Sequence, residues 1–152
     1  MHQADPVRTL GQIARLLRPG GWLVAHEPLA SPPPRSLPQL GALAAYWALL
    51  HEVMEFAGVP PGAIEGLPRS AREAGLDVAE ADGFFCTQDP EMGFEIHAGS
   101  LAAARERALT AGIGAETIDD LVATLRAAKT GGYEWVTSPF LLDLALRKPK
   151  AR

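Results

Sequence analysis

The sequence has a single cysteine and no long apolar run, and each shortage excludes a class of protein. Cys86 is the one cysteine among 152 residues, so no disulfide can form within the chain, as is typical of a reducing compartment. Since His97 is the only nearby candidate for a base, we expect a buried, unreactive thiol. The longest apolar stretch, Leu40 to Leu50, is far shorter than the roughly 20 residues that span a bilayer.

Basic charge is also scarce. The net charge of −4 argues against non-specific nucleic-acid binding, and we interpret the one basic cluster, Arg147 to Arg152, as a solvated chain end. The first residues lack the charged start and apolar core of a signal peptide. We therefore expect a soluble, cytoplasmic protein with neither a nucleic-acid nor a membrane partner. A composition of 47% hydrophobic and 21% charged residues predicts a single globular domain over residues 1–152.

Residues 5–27 predict a helix followed by a buried strand. Asp5 and Pro6 are typical of a helix start, and apolar residues at helical spacing follow, up to a turn at 19–21. The continuous apolar run Trp22 to Ala25 favours a strand buried on both faces of a parallel sheet. His26 and Glu27 would then follow its carboxyl end, where α/β sheets bind ligands. They are candidates for a general base or a substrate contact; a loop histidine beside a capping carboxylate is the alternative.

The rest of the chain predicts helices and strands in an α/β order. Residues 30–38 are rich in proline and predict an extended connector. Periodicity and Gly or Pro punctuation then predict helices over 39–57, 67–74, 101–110 and 116–129, and strands over 77–81, continuing towards 86, and over 133–146. Pro139 predicts a bulge or an edge position within the last strand.

Several segments carry a family resemblance. The string His2 to Pro6 before the first helix, and Leu17-Arg18-Pro19-Gly20-Gly21 before the strand, resemble class I S-adenosylmethionine-dependent methyltransferases, in particular the branch of ubiquinone and menaquinone biosynthesis. Residues 69–78 are similar to that family's step into its sixth strand, and residues 135–149 to its closing, seventh strand. The resemblance implies the C-terminal part of a Rossmann-like α/β fold, with a small partial sheet, flanking helices and a helical insertion or lid over residues 30–66.

The resemblance also implies how cofactor and acceptor would be bound. In the family, a Gly-rich loop after the first strand and an acidic residue after the second hold S-adenosylmethionine. This sequence has no G-x-G-x-x-G motif, so we expect it to be the substrate-side half and to bind no cofactor alone. Only His2 matches a position near the cofactor pocket. A small-molecule methyl acceptor would face His26 or Glu27, and its cavity would be lined by Tyr46, Trp47 and His51 of the lid. Core packing of Tyr46 and Trp47 is the alternative.

The resemblance has a further consequence for the sheet. In the family the fifth strand, here residues 22–25, lies between the fourth and the seventh. Without a fourth strand its edge would be open, and open apolar edges recruit partners. We therefore expect self-association through this edge, pairing with a separate N-terminal piece, or an isolated chain that is only marginally folded.

The remaining polar residues have simpler interpretations. His51 and Glu55 have the spacing of metal ligands on a helix, but a third ligand is missing, so we expect a solvated polar stripe and no metal. Asp119 and Asp120 are interpreted as helix-start charges. Three hypotheses remain: the substrate-side half of a methyltransferase, a non-catalytic remnant that dimerises or binds a partner, and a misassigned start with the rest of an enzyme encoded upstream.

Overall fold

The computed structural model describes residues 4–59 and 62–150, which form two compact units. Its helices and strands, in chain order, are α1 (Pro6–Leu16), β1 (Trp22–Pro28), β2 (Ser36–Leu37), α2 (Gly41–Phe56), α3 (Leu67–Glu73), β3 (Asp77–Phe84), β4 (Thr87–Gln88), α4 (Pro90–Thr110), α5 (Ala115–Ala128), β5 (Trp135–Thr137) and β6 (Leu141–Arg147). The predicted α/β class is confirmed, because helices flank two small sheets. Within the described ranges, every helix falls short of the length or apolar character that a membrane span requires.

The first unit is built from described residues within 1–30, 58–84 and 141–152. Its sheet has the strand order β1-β6-β3. Because β6 pairs antiparallel with both neighbours, β1 and β3 run in the same direction on either side of it. The core of this unit joins Leu10 of α1 and Leu67 of α3 to Leu144 and Leu146 of β6.

The segment before β1 forms as its sequence predicts. Asp5 Oδ1 accepts a hydrogen bond of 2.9 Å from the backbone N–H of Arg8, and Pro6 occupies the first turn of α1. Gly20 adopts a φ of 78°, a left-handed conformation that favours glycine. Its N–H donates to the carbonyl oxygen of Lys148 at 2.9 Å, so the turn into β1 is tied to the chain just after β6.

The prediction that β1 is buried on both faces of a parallel sheet is wrong. The strand pairs antiparallel with β6 along its whole length, and among the described strands it has no second neighbour. One face packs on the helices, while Trp22 is 53% and Val24 71% exposed on the other. The strand also extends to Pro28, so His26 and Glu27 lie within it and not beyond its end.

The second unit comprises residues 31–57 and 85–140. Helices α2, α4 and α5 enclose a core that includes Leu43, Phe94, Leu101 and Ile118, beside a sheet of order β2-β5-β4. Helix α4 begins at Pro90, eleven residues before the predicted start at 101. Asp89 caps it by accepting bonds from the N–H groups of Glu91 and Met92.

The predicted strand over 133–146 is two strands in different sheets. β5 pairs with β2 and β4 in the second unit, whereas β6 pairs with β1 and β3 in the first. Pro139 lies between them, and its missing N–H cannot continue a ladder. The connector over 30–38 contains the short strand β2. A single domain over 1–152 and an insertion over 30–66 stay predictions.

Candidate functional site

The predicted site residues are distributed over both units. His26 and Glu27 lie on β1 in the first unit, and Tyr46, Trp47 and His51 lie on α2 in the second. His2 lies outside the described residues. The roles of all six residues in catalysis or binding stay predictions. Cys86, expected to be buried, is exposed.

The exposed face of the first sheet carries a row of polar residues across its three strands. His26, Asp143 and Asp82 are in direct register on β1, β6 and β3, so their side chains project from the same face. His26 Nδ1 and Asp143 Oδ1 are hydrogen-bonded, and the two side chains are 55% and 42% exposed. The Phe84 ring packs beside them, with its centroid 6.0 Å from that of His26. A histidine held by a carboxylate is a common arrangement for accepting a proton.

Sequence reasoning did not single out Asp143 or Asp82. The one available signal for Asp143 was a charged residue between Leu142 and Leu144, within the otherwise apolar run 140–146. The pairing of Asp143 with His26 joins positions 117 residues apart and depends on strand register. Alternation excludes a slip by one residue but not a slip by two, which keeps every side chain on its face.

Glu27 faces away from this row, because successive strand residues point to opposite faces. It is paired in register with Leu142 and is partly buried. Of these two adjacent residues, therefore, only His26 lies on the exposed face of the sheet.

A second row of side chains on the same face lies four residues from the first, at the start of β1. The Arg147 guanidinium carbon lies 5.7 Å from the centroid of the Trp22 ring, and Arg147 Nη2 lies 3.9 Å from Asp77 Oδ2. Exposed contacts of this kind contribute little to stability. The Arg147 guanidinium is nevertheless a defined neighbour of the exposed Trp22 ring.

Tyr46 and Trp47 lie in the core of the second unit and are 2% and 5% exposed. The Tyr46 ring lies 5.1 Å from the ring of His97, whose Nε2 is 2.9 Å from the carbonyl oxygen of Thr137. Burial raises the pKa of Tyr46 to about 12, against the opposing effect of a hydrogen bond with Ser100. Burial likewise lowers the pKa of His97, against the opposing effect of its bond to Thr137. Both side chains are therefore held in their neutral forms.

The helices of the second unit also border open grooves. Three of them have volumes of about 560, 530 and 310 Å³, and none of these three is lined by Tyr46, Trp47 or His51. The His51 ring packs edge-on against Trp47, with centroids 4.9 Å apart. Across residues 4–59 and 62–150, no group of three or more His, Cys, Asp or Glu side chains is arranged to hold a metal ion.

Comparison with known proteins finds similarity at the level of solved structures. No family model and no curated protein matches the sequence. The cyclopropane synthase MmaA2 from Mycobacterium tuberculosis is 16% identical with a TM-score of 0.44, over 95% of this chain and 50% of that chain. A protein named as a sarcosine dimethylglycine methyltransferase, from Galdieria sulphuraria, is 13% identical with a TM-score of 0.44, over 98% of this chain and 49% of that chain. The chain thus spans about half the length of each of these two proteins, and neither likeness assigns it an activity.

Proposed function

We propose that this chain forms the acceptor side of an S-adenosylmethionine-dependent methyltransferase, whose cofactor loop is supplied by polypeptide outside these 152 residues. The observation that carries the proposal is the strand order β1-β6-β3, in which β6 runs antiparallel between two strands of common direction. In the resembled family the fifth strand lies beside the seventh, and β1 lies beside β6 in the same way. The order of motifs along the sequence supports the same assignment.

The described residues do not fit the cofactor itself. A Gly-rich loop holds such a ligand by lying between a strand and a helix whose N-terminus faces it. The strand-to-helix connections of the described chain, before α2 and α4, consist of residues 38–40 and Asp89, without glycine. The left-handed glycines follow or connect helices instead. The methyl donor would therefore be held elsewhere.

His26 defines what this chain would contribute to the reaction. An acceptor whose nucleophilic atom carries a proton, such as a hydroxyl oxygen, must lose that proton as it reacts. On the exposed face of the first sheet the proton would pass to the His26 ring, and the electron pair of the O–H bond would stay on the oxygen. Phe84, 6.0 Å from that ring, offers an apolar surface against which an acceptor can lie.

Reconstitution tests this proposal. The nucleotides upstream of the Met1 codon are read in frame for a Gly-rich segment, and the encoded polypeptide is co-expressed with this chain. We expect the pair to bind S-adenosylmethionine in isothermal titration and the lone chain not to bind it. His26→Ala should lower methyl transfer by roughly 10²- to 10⁴-fold, the usual contribution of a general base. Micromolar binding by the lone chain, or a pair that transfers no methyl group, contradicts the proposal.

A non-catalytic binding module is the second candidate, and the open edge of β1 favours it. Val24 on this edge is 71% exposed, and a lysine on an edge strand discourages strand addition. Leu16 of α1 is 87% exposed but lies outside the sheet, which makes Leu16→Lys a matched control for Val24→Lys. If the edge binds partners, sedimentation should show an assembly that Val24→Lys abolishes and Leu16→Lys preserves. A wild-type chain that is monomeric and melts cooperatively excludes self-association through this edge.

A further inference from the structure

The strand pairing places the Asp143 carboxylate directly opposite His26, where it is bonded to one nitrogen of the ring. We propose that Asp143 is the positioning residue of His26: it holds the imidazole proton on Nδ1 and so keeps Nε2 as the nitrogen that accepts a proton. This inference rests on the proposed function for its use in a reaction, but the arrangement itself can be tested without cofactor or partner.

The direction of the hydrogen bond follows from the chemistry of the two groups. An ionised carboxylate can only accept hydrogen bonds, and a neutral imidazole has one donor nitrogen and one acceptor nitrogen. Because Asp143 Oδ1 is bonded to His26 Nδ1, the proton of the neutral ring lies on Nδ1, and the lone pair available for a new proton lies on Nε2.

The backbone holds both residues where this bond needs them. His26 and Asp143 are Cα partners within a ladder in which Trp22 to Pro28 pair with Arg147 to Leu141 without a shift. The bulge in the sheet lies on β3, between Val78 and Glu80, away from this pair. The Phe84 ring of β3 also packs near the imidazole, at an interplanar angle of 51°. Groups carried by paired strands are placed more accurately than groups on loops.

Asp82 provides a matched control for Asp143. It is in register with Asp143 on β3 and belongs to the same row, so it is a carboxylate of the same face one strand further from the ring. If general negative potential on this face set the tautomer of His26, the loss of Asp82 would also change it. If the direct hydrogen bond sets the tautomer, only the loss of Asp143 will change the tautomer ratio.

Nitrogen-15 NMR of the His26 ring in the full chain separates these cases, because protonated and unprotonated ring nitrogens resonate in different ranges. At a pH where the ring is neutral, we expect wild type and Asp82→Ala to show a protonated Nδ1 and an unprotonated Nε2. Asp143→Ala should move most of the proton to Nε2, while Asp143→Asn, which keeps a neutral acceptor, should give an intermediate ratio. Thermal unfolding of each variant verifies that it is folded.

Besides a tautomer change in Asp82→Ala as large as that in Asp143→Ala, two results would overturn the inference. One is a wild-type ring protonated mainly on Nε2, and the other is a tautomer ratio that Asp143→Ala and Asp143→Asn leave unchanged. Failure of the reconstituted pair to transfer a methyl group would instead contradict the proposed function, since the NMR result does not depend on turnover.

Discussion

His97 Nε2 lies 2.9 Å from the carbonyl oxygen of Thr137, and His97 is only 1% exposed. This hydrogen bond links α4 to the end of β5 and supplies a partner for two buried polar groups. The Tyr46 ring of α2 packs 5.1 Å from the imidazole. Three elements of the second unit therefore meet at one buried histidine, which must stay neutral to remain there.

We expect the second unit to lose stability as the pH falls. Burial lowers the pKa of His97 from its ordinary 6.5, so the unfolded chain takes up this proton more readily than the folded one. The contribution of neutral His97 to folding stability is complete above about pH 6.5, and it declines as the pH falls from there towards the lower pKa of the folded state. Urea unfolding followed by circular dichroism between about pH 8 and about pH 5 measures the decline. His97→Gln, which cannot titrate, should flatten it; an equal slope in the variant would show that other groups cause it.

Tyr46 gives the opposite dependence at alkaline pH. Because burial raises its pKa from 10.0 to about 12, the folded state holds the phenolic proton more tightly than the unfolded state. The stabilisation is complete below about pH 10 and is lost as the pH rises towards 12. An ultraviolet titration of phenolate should show a late-ionising tyrosine that Tyr46→Phe removes. If Tyr46→Phe leaves this late transition in place, the residue is not the one that titrates there.

The N-cap of α4 should contribute measurably to the same unit. Asp89 accepts bonds from the N–H groups of Glu91 and Met92, with Pro90 in the first turn. Asp89→Ala leaves these donors without their side-chain partner and should cost about 0.5–2 kcal/mol. Asp89→Asn keeps an acceptor oxygen and should cost less. Chemical denaturation gives both differences, and equal losses for the two variants would show that capping is not the cause.

The features predicted correctly from the sequence are those that depend on residues close together in the chain. Asp5 and Pro6 mark the start of α1 because capping involves only neighbouring backbone groups, and the structure has that cap. The partner of Asp143 could not be predicted, because register brings together residues 117 positions apart. The resemblance implied an open edge at residues 22–25, and among the described strands β1 has no second neighbour. The exposure of Val24 on the sheet face could not be read from its residue type, since an apolar residue on a strand does not reveal whether a second layer covers it.

The early start of α4 was missed for a related reason. Gly93 and Gly99 lower the helix propensity of its first half, and propensity is a local quantity. Gly93 is buried within the helix, and a Cβ placed on it would overlap Val136 Cγ1 of β5. The glycine is therefore a packing requirement between helix and strand, which only the folded chain makes visible.

The two glycines of α4 form a matched pair that tests this explanation. Gly93→Ala gains helix propensity but forces Val136 or the helix to move, and overpacking of this kind typically costs about 1–3 kcal/mol. Apart from its chain neighbours and the backbone of its own helix, Gly99 has no atom within 4 Å of an added Cβ, so Gly99→Ala should stabilise the protein by about 0.5–1 kcal/mol. Urea unfolding of both variants measures the two changes. The two changes in the free energy of unfolding should have opposite signs. Alanine raises helix propensity at both sites, but only at Gly93 does the added Cβ overlap a neighbouring side chain. If both substitutions stabilise the chain, β5 does not approach α4 as closely as the structure has it.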